Sequence, residues 1–256
     1  MNRKIIILGG KGQSTRVLYF ALRDEFKITK VVLEEGISRV EFIKKRIKKL
    51  GFFKVLDQVF FQLLVIPFLT FEARKRIQEI FQIQGFVDSA IPSEIVSRVF
   101  SVNSEECRHV LKMEQPDIII VNGTRIINKL TLSVSKALIV NTHAGITPKY
   151  RGVHGGYWAL ANNDSINCGV TIHKVDVGID TGGILARGNI HPSSSDNFVT
   201  YPLLQLAAGI LLLRSFLLEM QEGKKPKELD SDLESTLWSH PGAFEYIVIR
   251  LFKKVK

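Results

Sequence analysis

Three polar side chains, those of Asn141, His143 and Asp180, have the types and the spacing that acyl transfer requires. Asn141 and His143 are two residues apart after the apolar run ALIV at 137–140, so on a strand both would point to the same face. Asp180 comes 37 residues after His143, in a turn rich in glycine. An imidazole can move a proton, a carboxylate can orient it and stabilise its cation, and an amide can bind a developing oxyanion. Metal binding is the rival use, but Asn is a poor zinc ligand and no second His or Cys has metal spacing, so we expect no metal.

Three sequence blocks contain these residues, and in them the chain resembles the formyltransferases that use 10-formyltetrahydrofolate. That family includes glycinamide ribonucleotide transformylase, the catalytic domain of methionyl-tRNA formyltransferase and the sugar N-formyltransferases, to which the similarity is greatest. The match is firm from Pro116 to Ile190, looser over residues 1–33 and absent between Glu34 and Pro92. The blocks are Asn141, His143, Pro148, Arg151 and Gly152, then GVTIH at 169–173, then Asp176, Gly178, Asp180, Thr181 and Gly182.

The resemblance implies catalytic roles for Asn141, His143 and Asp180. Asn141 would bind the formyl oxygen as it becomes an oxyanion. His143 would assist with that charge and with proton transfer from the attacking amine, and Asp180 would hold His143 and relay the proton. The alternative interpretation makes Asn141 and His143 the cap of a strand end and Asp180 a turn residue. Three blocks in the family's order are hard to obtain from turn chemistry alone, which favours catalysis.

A donor site is predicted where the segment NGTRII, residues 122–127, follows the apolar run DIIIV. Ligands of open α/β sheets bind beyond the carboxyl ends of the strands. The resemblance implies that this segment holds the pterin ring of 10-formyltetrahydrofolate, the expected cosubstrate. The alternative is a loop that only packs. The predicted cofactor-binding residues are Asn122, Gly123, Thr124, Arg125, Ile126, Ile127, Asp176 and Gly178.

An acceptor site is predicted at GGKGQST, residues 9–15, because free N–H groups at a helix start, with Lys11 and Arg16, can bind an anion. The spacing is neither a Walker A loop nor a full GxGxxG fingerprint, so a nucleotide cofactor is not indicated. The resemblance implies that this loop holds the phosphate side of the acceptor; a plain glycine turn is the alternative. Ala144 and Gly145 replace the family's Pro-Ser, which we expect to leave room for a sugar ring. The predicted substrate-binding residues are Gly10, Lys11, Gly12, Arg151 and Gly152.

Alternating strand and helix signals predict an α/β fold with an open, mostly parallel, Rossmann-like sheet flanked by helices. Strands are expected near 31–33, 117–121, 137–140 and 170–172, and Ser104 should cap a helix. We expect a catalytic domain over 1–222, with a basic amphipathic helical insertion at about 37–85, and a short C-terminal extension over 223–256.

Charge and cysteine content limit the classes of function. The formal net charge is +10, of which residues 39–54 contribute +6 and residues 250–256 contribute +4, so the remaining body is neutral. A broad nucleic-acid-binding face is therefore not expected. Cys107 and Cys168 lack CxxC spacing, and the apolar run near Met1 is too short for a signal peptide, so we expect a cytoplasmic protein.

Residues 51–71 form a long apolar stretch that follows the basic run, and three interpretations are open. It can be a helix packed on the core or in a homodimer contact. It can instead be an interfacial helix, so that residues 39–71 touch the inner face of the membrane. A true bilayer span is the third, although Lys54 and Asp57 are costly in a membrane and Pro67 should interrupt the helix.

These features predict a folate-dependent N-formyltransferase that acts on the amine of a small phosphorylated acceptor. A nucleotide-linked amino sugar for surface polysaccharide is favoured, because the sequence has no tRNA-binding or regulatory domain but has an anion-binding loop and a large insertion. Glycinamide ribonucleotide transformylase is the alternative. A non-catalytic relative that binds folate or a membrane partner is another, which the intact triad disfavours.

Overall fold

The computed structural model, which describes residues 3–36 and 39–256, has a seven-stranded sheet at its centre. The strands of this sheet are β1 (Ile5–Gly10), β2 (Ile28–Glu34), β3 (Val96–Val99), β4 (Ile118–Asn122), β5 (Leu138–His143), β7 (Gly169–Lys174) and β8 (Ile184–Asn189). Their order is β3-β2-β1-β4-β5-β7-β8. Pairing is parallel from β3 to β5, and β7 and β8 are antiparallel to their neighbours. A separate pair joins β6 (Arg151–Gly152) to β9 (Leu237–Trp238).

Helices cover both faces of this sheet. They are α1 (Gln13–Leu22), α2 (Arg39–Leu50), α3 (Phe52–Phe60), α4 (Ile66–Glu72), α5 (Arg74–Gln84), α6 (Glu105–Glu114), α7 (Lys129–Leu132), α8 (Gly155–Ala161), α9 (Tyr201–Gln221) and α10 (Ala243–Lys253). The predicted α/β fold class is confirmed, and the Ser104 hydroxyl accepts from the N–H of Cys107 as the predicted cap of α6.

The central strands are buried on both faces, which explains their continuous apolar sequences. Ile5–Leu8 of β1 and Ile118–Val121 of β4 are almost fully inaccessible to solvent. On one face α1 and α9 pack over them, and on the other face α6 does. Gly209 of α9 allows a close approach to the sheet, since a Cβ there would lie 2.6 Å from Cγ2 of Thr142. This contact holds the strand that carries Asn141 and His143.

The insertion predicted at about 37–85 is helical from Arg39 to Gln84, and residues 37 and 38 lie outside the described residues. The prediction that Pro67 interrupts the helix is wrong. Residues 52–72 form one continuous helix, in which Phe61–Val65 make a π-turn just before the proline. Proline lacks an N–H and crowds the preceding turn, and a widened turn accommodates both effects.

The C-terminal segment 223–256 is an integral part of this fold. Strand β9 pairs with β6, and helix α10 lies beside α3, where the N–H of Phe244 donates to Asp57 Oδ1 at 3.1 Å. Tyr246 of α10 and Phe61 of the π-turn are fully buried with their ring centroids 5.3 Å apart. This aromatic core cluster joins the insertion, the C-terminal segment and helix α8.

Two helices, 52–72 and α9, are long and apolar enough to cross a membrane by length and composition alone. Helix α9 is a core helix, with its buried residues in the main apolar cluster. In helix 52–72 only 22% of the most apolar window is buried. One of its faces packs on the aromatic cluster, and the other is exposed.

The paired histidines His154 and His240 in this cluster should make stability depend on pH. His154 Nε2 lies 2.9 Å from His240 Nδ1. Burial lowers the pKa of His154 to about 3 and that of His240 to about 4. In the unfolded chain both would titrate near 6.5. The unfolded state therefore binds more protons below pH 6.5, and the free energy of unfolding should fall by about 2 kcal/mol or more between pH 7.5 and 5.

Urea denaturation across this range measures the effect. Below pH 6.5, the free energy of unfolding of the double variant His154→Gln/His240→Gln should depend much less on pH than that of the wild type. Above pH 7.5, where neither imidazole titrates, the two proteins should show the same pH dependence. An unchanged slope below pH 6.5 in the double variant would contradict the assignment.

Candidate active site

The pleat of β5 places Asn141 and His143 on one face and Thr142 on the other, where it meets Gly209 of α9. Both polar side chains line a pocket of about 340 Å³ at the carboxyl end of β5. Asp180 lines the same pocket, although it lies in the loop between β7 and β8. The structure therefore brings together the three side chains singled out by the sequence.

Asp180 is the centre of the polar contacts in this pocket. Its Oδ2 accepts from the N–H of Gly152 at 2.9 Å and lies 3.3 Å from His143 Nδ1. Its Oδ1 lies 3.4 Å from Asn141 Nδ2 and 3.5 Å from His173 Nε2. Burial raises the pKa of Asp180, but its contacts with His173, His143 and the Gly152 N–H outweigh burial and bring that pKa below the ordinary value.

The backbone around Asp180 explains the glycine-rich motif. Asp180 has φ +51°, a left-handed conformation that Asp tolerates better than most residues. Asp176 Oδ1 accepts from the N–H of Gly178 at 2.9 Å and from the Thr181 hydroxyl at 2.7 Å. A Cβ on Gly178 would collide with the Thr181 side chain. The motif builds a tight loop that turns Asp180 towards β5.

His143 lies between two hydrogen-bond acceptors. Its Nε2 is 2.7 Å from the carbonyl of Tyr150, and its Nδ1 faces Asp180. A neutral imidazole can donate to only one of them, whereas the imidazolium can donate to both. Burial lowers the pKa of His143, and the Asp180 charge and the Tyr150 carbonyl oppose that effect only in part. The site therefore keeps the imidazole neutral, while Asp180 and the Tyr150 carbonyl offset part of the cost of protonating it.

Tyr150 contributes through its backbone, a role that the sequence did not indicate. Its buried ring and its hydroxyl, which donates to Asp164 at 2.8 Å, fix the position of its carbonyl. Gly145 makes the approach to His143 possible, because a Cβ there would lie 2.3 Å from the Tyr150 oxygen and 2.8 Å from His143 Nε2. The expectation that Ala144 and Gly145 leave room for a sugar ring is wrong at Gly145, since the Tyr150 carbonyl fills that space. Ala144 does line the pocket.

The predicted donor segment forms the opposite wall of the pocket. Gly123, Thr124, Arg125, Ile126 and Ile127 line it, as do Asp176 and Gly178. Asn122 is not among the residues that line the pocket. Its side-chain amide donates to the hydroxyls of Ser14 at 3.1 Å and Thr15 at 3.0 Å, because the end of β4 lies beside the start of α1, and a role in donor binding stays a prediction for this residue.

Glu34 is a second residue that sequence reasoning missed. This buried carboxylate accepts from the N–H groups of Val102 and Arg125, each at 2.9 Å, and its Oε1 lies 2.5 Å from Arg125 Nε. Through Arg125, Glu34 holds the predicted donor segment in place. The available signal was an acidic residue at the end of the apolar strand ITKVVLE, where a buried charge needs partners.

The predicted acceptor residues separate into two groups. Gly10 and Lys11 line a neighbouring cleft of about 500 Å³ with Arg16 and Arg98, while Gly12 caps α1. Lys11 pairs with Glu35 at 3.0 Å, and Arg16 pairs with Asp88 at 2.5 Å. A Cβ on Gly10 would lie 2.8 Å from the Gly123 carbonyl, so the cleft adjoins the donor segment.

Arg151 and Gly152 lie beside the Asp180 loop instead. Arg151 Nη1 donates to the Ile179 carbonyl at 3.2 Å, and the Gly152 N–H donates to Asp180. Their visible function is to hold the Asp180 loop. The prediction that they bind substrate is not supported by these contacts. In the described ranges 3–36 and 39–256, no cluster of three His, Cys, Asp or Glu residues could hold a metal ion.

A family model described as "Formyl transferase" matches residues 66–201, more than half of the chain. The chain belongs to this family. The match begins inside the insertion, so the expectation that the resemblance is absent between Glu34 and Pro92 is wrong over residues 66–92. Helix α4, helix α5 and the catalytic blocks therefore lie within the family's common region.

Individual relatives agree with this membership. Methionyl-tRNA formyltransferase from Koribacter versatilis is 36% identical over 113 residues, which are 43% of this chain and 36% of that protein. The chain thus spans little more than a third of this curated relative. Phosphoribosylglycinamide formyltransferase from Anaplasma phagocytophilum has a similar fold, with a TM-score of 0.58, 16% identity and coverage of 93% and 100% of the two chains. A sugar N-formyltransferase from a Shewanella species has a TM-score of 0.55, 12% identity and coverage of 91% and 76%.

The His143 ring should titrate below the ordinary histidine pKa of about 6.5, because burial disfavours its charged form. Asp180→Asn should lower that pKa further, since it removes the negative charge that favours the imidazolium. Ring-carbon NMR shifts followed against pH measure both, with the His143 signal assigned by its loss in His143→Gln. A His143 pKa at or above that measured in the urea-unfolded chain would show that burial does not dominate. A higher His143 pKa in the Asp180→Asn variant would show that the Asp180 charge does not favour the imidazolium.

Proposed function

We propose that this protein is a folate-dependent N-formyltransferase whose catalytic residues are Asn141, His143 and Asp180. The observation that carries the proposal is the bridging position of the Asp180 carboxylate, 3.3 Å from His143 Nδ1 and 3.4 Å from Asn141 Nδ2 in one pocket. Family membership supports the class of reaction. The geometry supports the assignment of roles, since an oriented base and a neutral donor share one cavity.

Charge develops at two atoms when a formyl group moves between nitrogens. The Nδ2 group of Asn141 is suited to the formyl oxygen, on which negative charge grows. His143 is suited to take the proton of the attacking amine, because burial keeps its ring neutral beforehand. The amine nitrogen bonds to the formyl carbon, the proton passes to His143 and then to the departing nitrogen, and the bond to that nitrogen breaks. Asp180 and the Tyr150 carbonyl stabilise the intervening imidazolium.

We infer that 10-formyltetrahydrofolate is the donor and that residues 123–127 hold it. When bound, it supplies the activated formyl group. The segment fits a flat ring system, since Ile126 is 54% exposed at the pocket wall and would be covered by an apolar ligand. Gly123, at φ +68°, turns the backbone along the pocket, which exposes peptide groups for hydrogen bonding.

The proposed acceptor is the amine of a nucleotide-linked sugar used in surface polysaccharide or lipopolysaccharide synthesis. The cleft that adjoins the donor segment supports this choice, because the side chains of Lys11, Arg16 and Arg98 can accommodate a diphosphate. The Shewanella relative is named for sugar N-formylation. Glycinamide ribonucleotide is the second candidate, favoured by the full coverage of the Anaplasma enzyme. We propose a cytoplasmic setting, where the buried thiols of Cys107 and Cys168 stay reduced.

Asn141→Ala, His143→Ala and Asp180→Ala should each lower the rate of formyl transfer by about two to four orders of magnitude, because each removes one of the groups that stabilise the transition state. Turnover with 10-formyltetrahydrofolate is the measurement, and circular dichroism checks folding. Asp24→Ala, which removes an exposed carboxylate elsewhere, is the matched control. Near-normal turnover by the Asp180 variant would refute its catalytic role.

The acceptor can be identified by mass spectrometry with 10-formyltetrahydrofolate and a panel of amines. We expect one formyl group to be added to a nucleotide-linked 3-amino or 4-amino sugar, and none to glycinamide ribonucleotide or methionyl-tRNA. Lys11→Gln/Arg98→Gln should raise the KM for that acceptor with little change in kcat, since these residues would bind the phosphates. Formylation of glycinamide ribonucleotide alone would exclude the sugar acceptor and leave the catalytic assignment intact.

A further inference from the structure

The outer surface of helix 52–72 is apolar where a soluble domain is normally polar. Phe53 is 84% exposed, Leu64 63% and Phe71 67%. Two polar residues of this helix make contacts with the domain. The Gln58 amide is buried and donates to the His240 carbonyl at 2.6 Å, and Asp57 accepts from the N–H of Phe244. The solvent-exposed side of the helix thus carries large apolar side chains together with polar ones such as Lys54 and Gln62.

Helix α10 also exposes large apolar side chains and extends the same surface. Phe244 is 73% exposed, Leu251 70% and Phe252 81%, whereas Tyr246 on the opposite side is fully buried. The five exposed apolar residues of α10 follow helical spacing, at positions 244, 247, 248, 251 and 252. They form one continuous face.

The two exposed faces point away from the same core. Phe61 and Tyr246 project from the two helices into the aromatic cluster and touch each other. The helices run side by side in the same direction, from the Asp57–Phe244 contact to the Glu72–Arg250 ion pair at 2.8 Å. Their outward sides therefore make up one surface, called here the apolar shelf, which consists of the exposed apolar side chains of residues 52–71 and 244–252. Apolar patches of this extent mark interaction sites.

Positive charge surrounds the apolar shelf. Residues 39–72 and 243–256 contain eleven Lys and Arg and only four Asp and Glu. Helix α2 contacts the first part of helix 52–72, where Arg46 Nη2 donates to Gln58 Oε1 at 2.6 Å, and Lys44, Lys48 and Lys49 of α2 are exposed. Of the four acids, Asp57 is bonded to a backbone N–H and Glu72 to Arg250. An apolar face with flanking lysines is complementary to one kind of surface, an anionic lipid bilayer.

We propose that the apolar shelf docks this protein on an anionic membrane surface, with aromatic side chains among the acyl chains and lysines at the headgroups. Contact of residues 39–71 with the membrane was one of the three interpretations that the sequence left open. The structure adds α10 and identifies the face, because it is the side chains turned away from the core that would enter the bilayer. Helix 52–72 does not need to span the membrane, as its inner side is held by the aromatic cluster. This inference depends on the surface alone and is independent of the proposed reaction.

Vesicle sedimentation with the full-length chain tests the proposal. The wild type should bind phosphatidylcholine vesicles that contain phosphatidylglycerol at least about tenfold more tightly than pure phosphatidylcholine vesicles, and a rise from about 0.1 M to about 0.5 M salt should weaken that binding. Phe53→Ser/Leu64→Ser/Phe252→Ser should reduce binding by about tenfold or more, because it removes the inserted apolar groups. Lys48→Gln/Lys49→Gln should do the same by removing headgroup contacts.

Two control variants test whether position matters. Met113→Ser/Ile166→Ser/Leu211→Ser removes three equally exposed apolar side chains from other surfaces, and Lys225→Gln/Lys227→Gln removes two lysines outside the basic segments. Both should bind vesicles like the wild type. Thermal melts of every variant confirm folding, and sedimentation velocity without lipid reports self-association.

Several outcomes would overturn the proposal. Equal binding to neutral and anionic vesicles would exclude an anionic target. If Phe53→Ser/Leu64→Ser/Phe252→Ser bound vesicles like the wild type, the apolar shelf would not be the surface that binds them. The protein could instead fail to bind vesicles and form a dimer that the Phe53→Ser/Leu64→Ser/Phe252→Ser variant no longer forms. In that case the apolar shelf would be a contact between two copies of the chain. The outcome of these vesicle experiments does not depend on whether the protein transfers formyl groups, so the two proposals can fail separately.

Discussion

A largely buried carboxylate is costly unless its oxygens accept hydrogen bonds or face positive charge. Asp180 meets this demand with partners from three parts of the chain: the Gly152 N–H after the catalytic strand, and the side chains of His143 on β5 and His173 on β7. The Asp180 loop must therefore close over the ends of two strands. Arg151 assists by binding the Ile179 carbonyl. The shape of the pocket follows from satisfying this one group.

A second buried carboxylate, Glu34, organises the opposite wall in a comparable way. It binds Arg125 through both backbone and side chain, and thereby ties the donor segment to the end of β2. The insertion starts just after this strand, so a short stretch of chain runs from Glu34 beside the pocket to the start of the basic helix α2.

The sequence was sufficient for the sheet and for the grouping of Asn141, His143 and Asp180 in one pocket, because both depend on local rules. Strand parity puts Asn141 and His143 on one face, and the glycine-rich motif forces the turn at Asp180. It was insufficient where a contact joins distant segments. Asn122 was assigned to the pocket because nothing in NGTRII reveals that Ser14 and Thr15 lie closer. Gly145 was taken to create space, although the Tyr150 carbonyl occupies it. The 51–71 segment was clearly amphipathic, yet its pattern does not say which of its apolar side chains pack on the protein and which are exposed to solvent.

The π-turn at Phe61–Val65 has a consequence for how this region can vary in length. Phe61 and Leu69 both belong to the aromatic cluster, eight positions apart. Eight residues of an ideal α-helix make about 2.2 turns, which would leave Leu69 roughly 80° out of line with Phe61. One widened turn takes up this difference and realigns the second half of the helix with the core. Deletion of a single residue within the π-turn would restore regular helical bonding and leave Leu69 seven positions after Phe61, within about 20° of the same direction. The helix can therefore lose one residue at the π-turn and keep its contacts with the core, whereas one more residue between Phe61 and Leu69 would turn Leu69 by about 100° out of line.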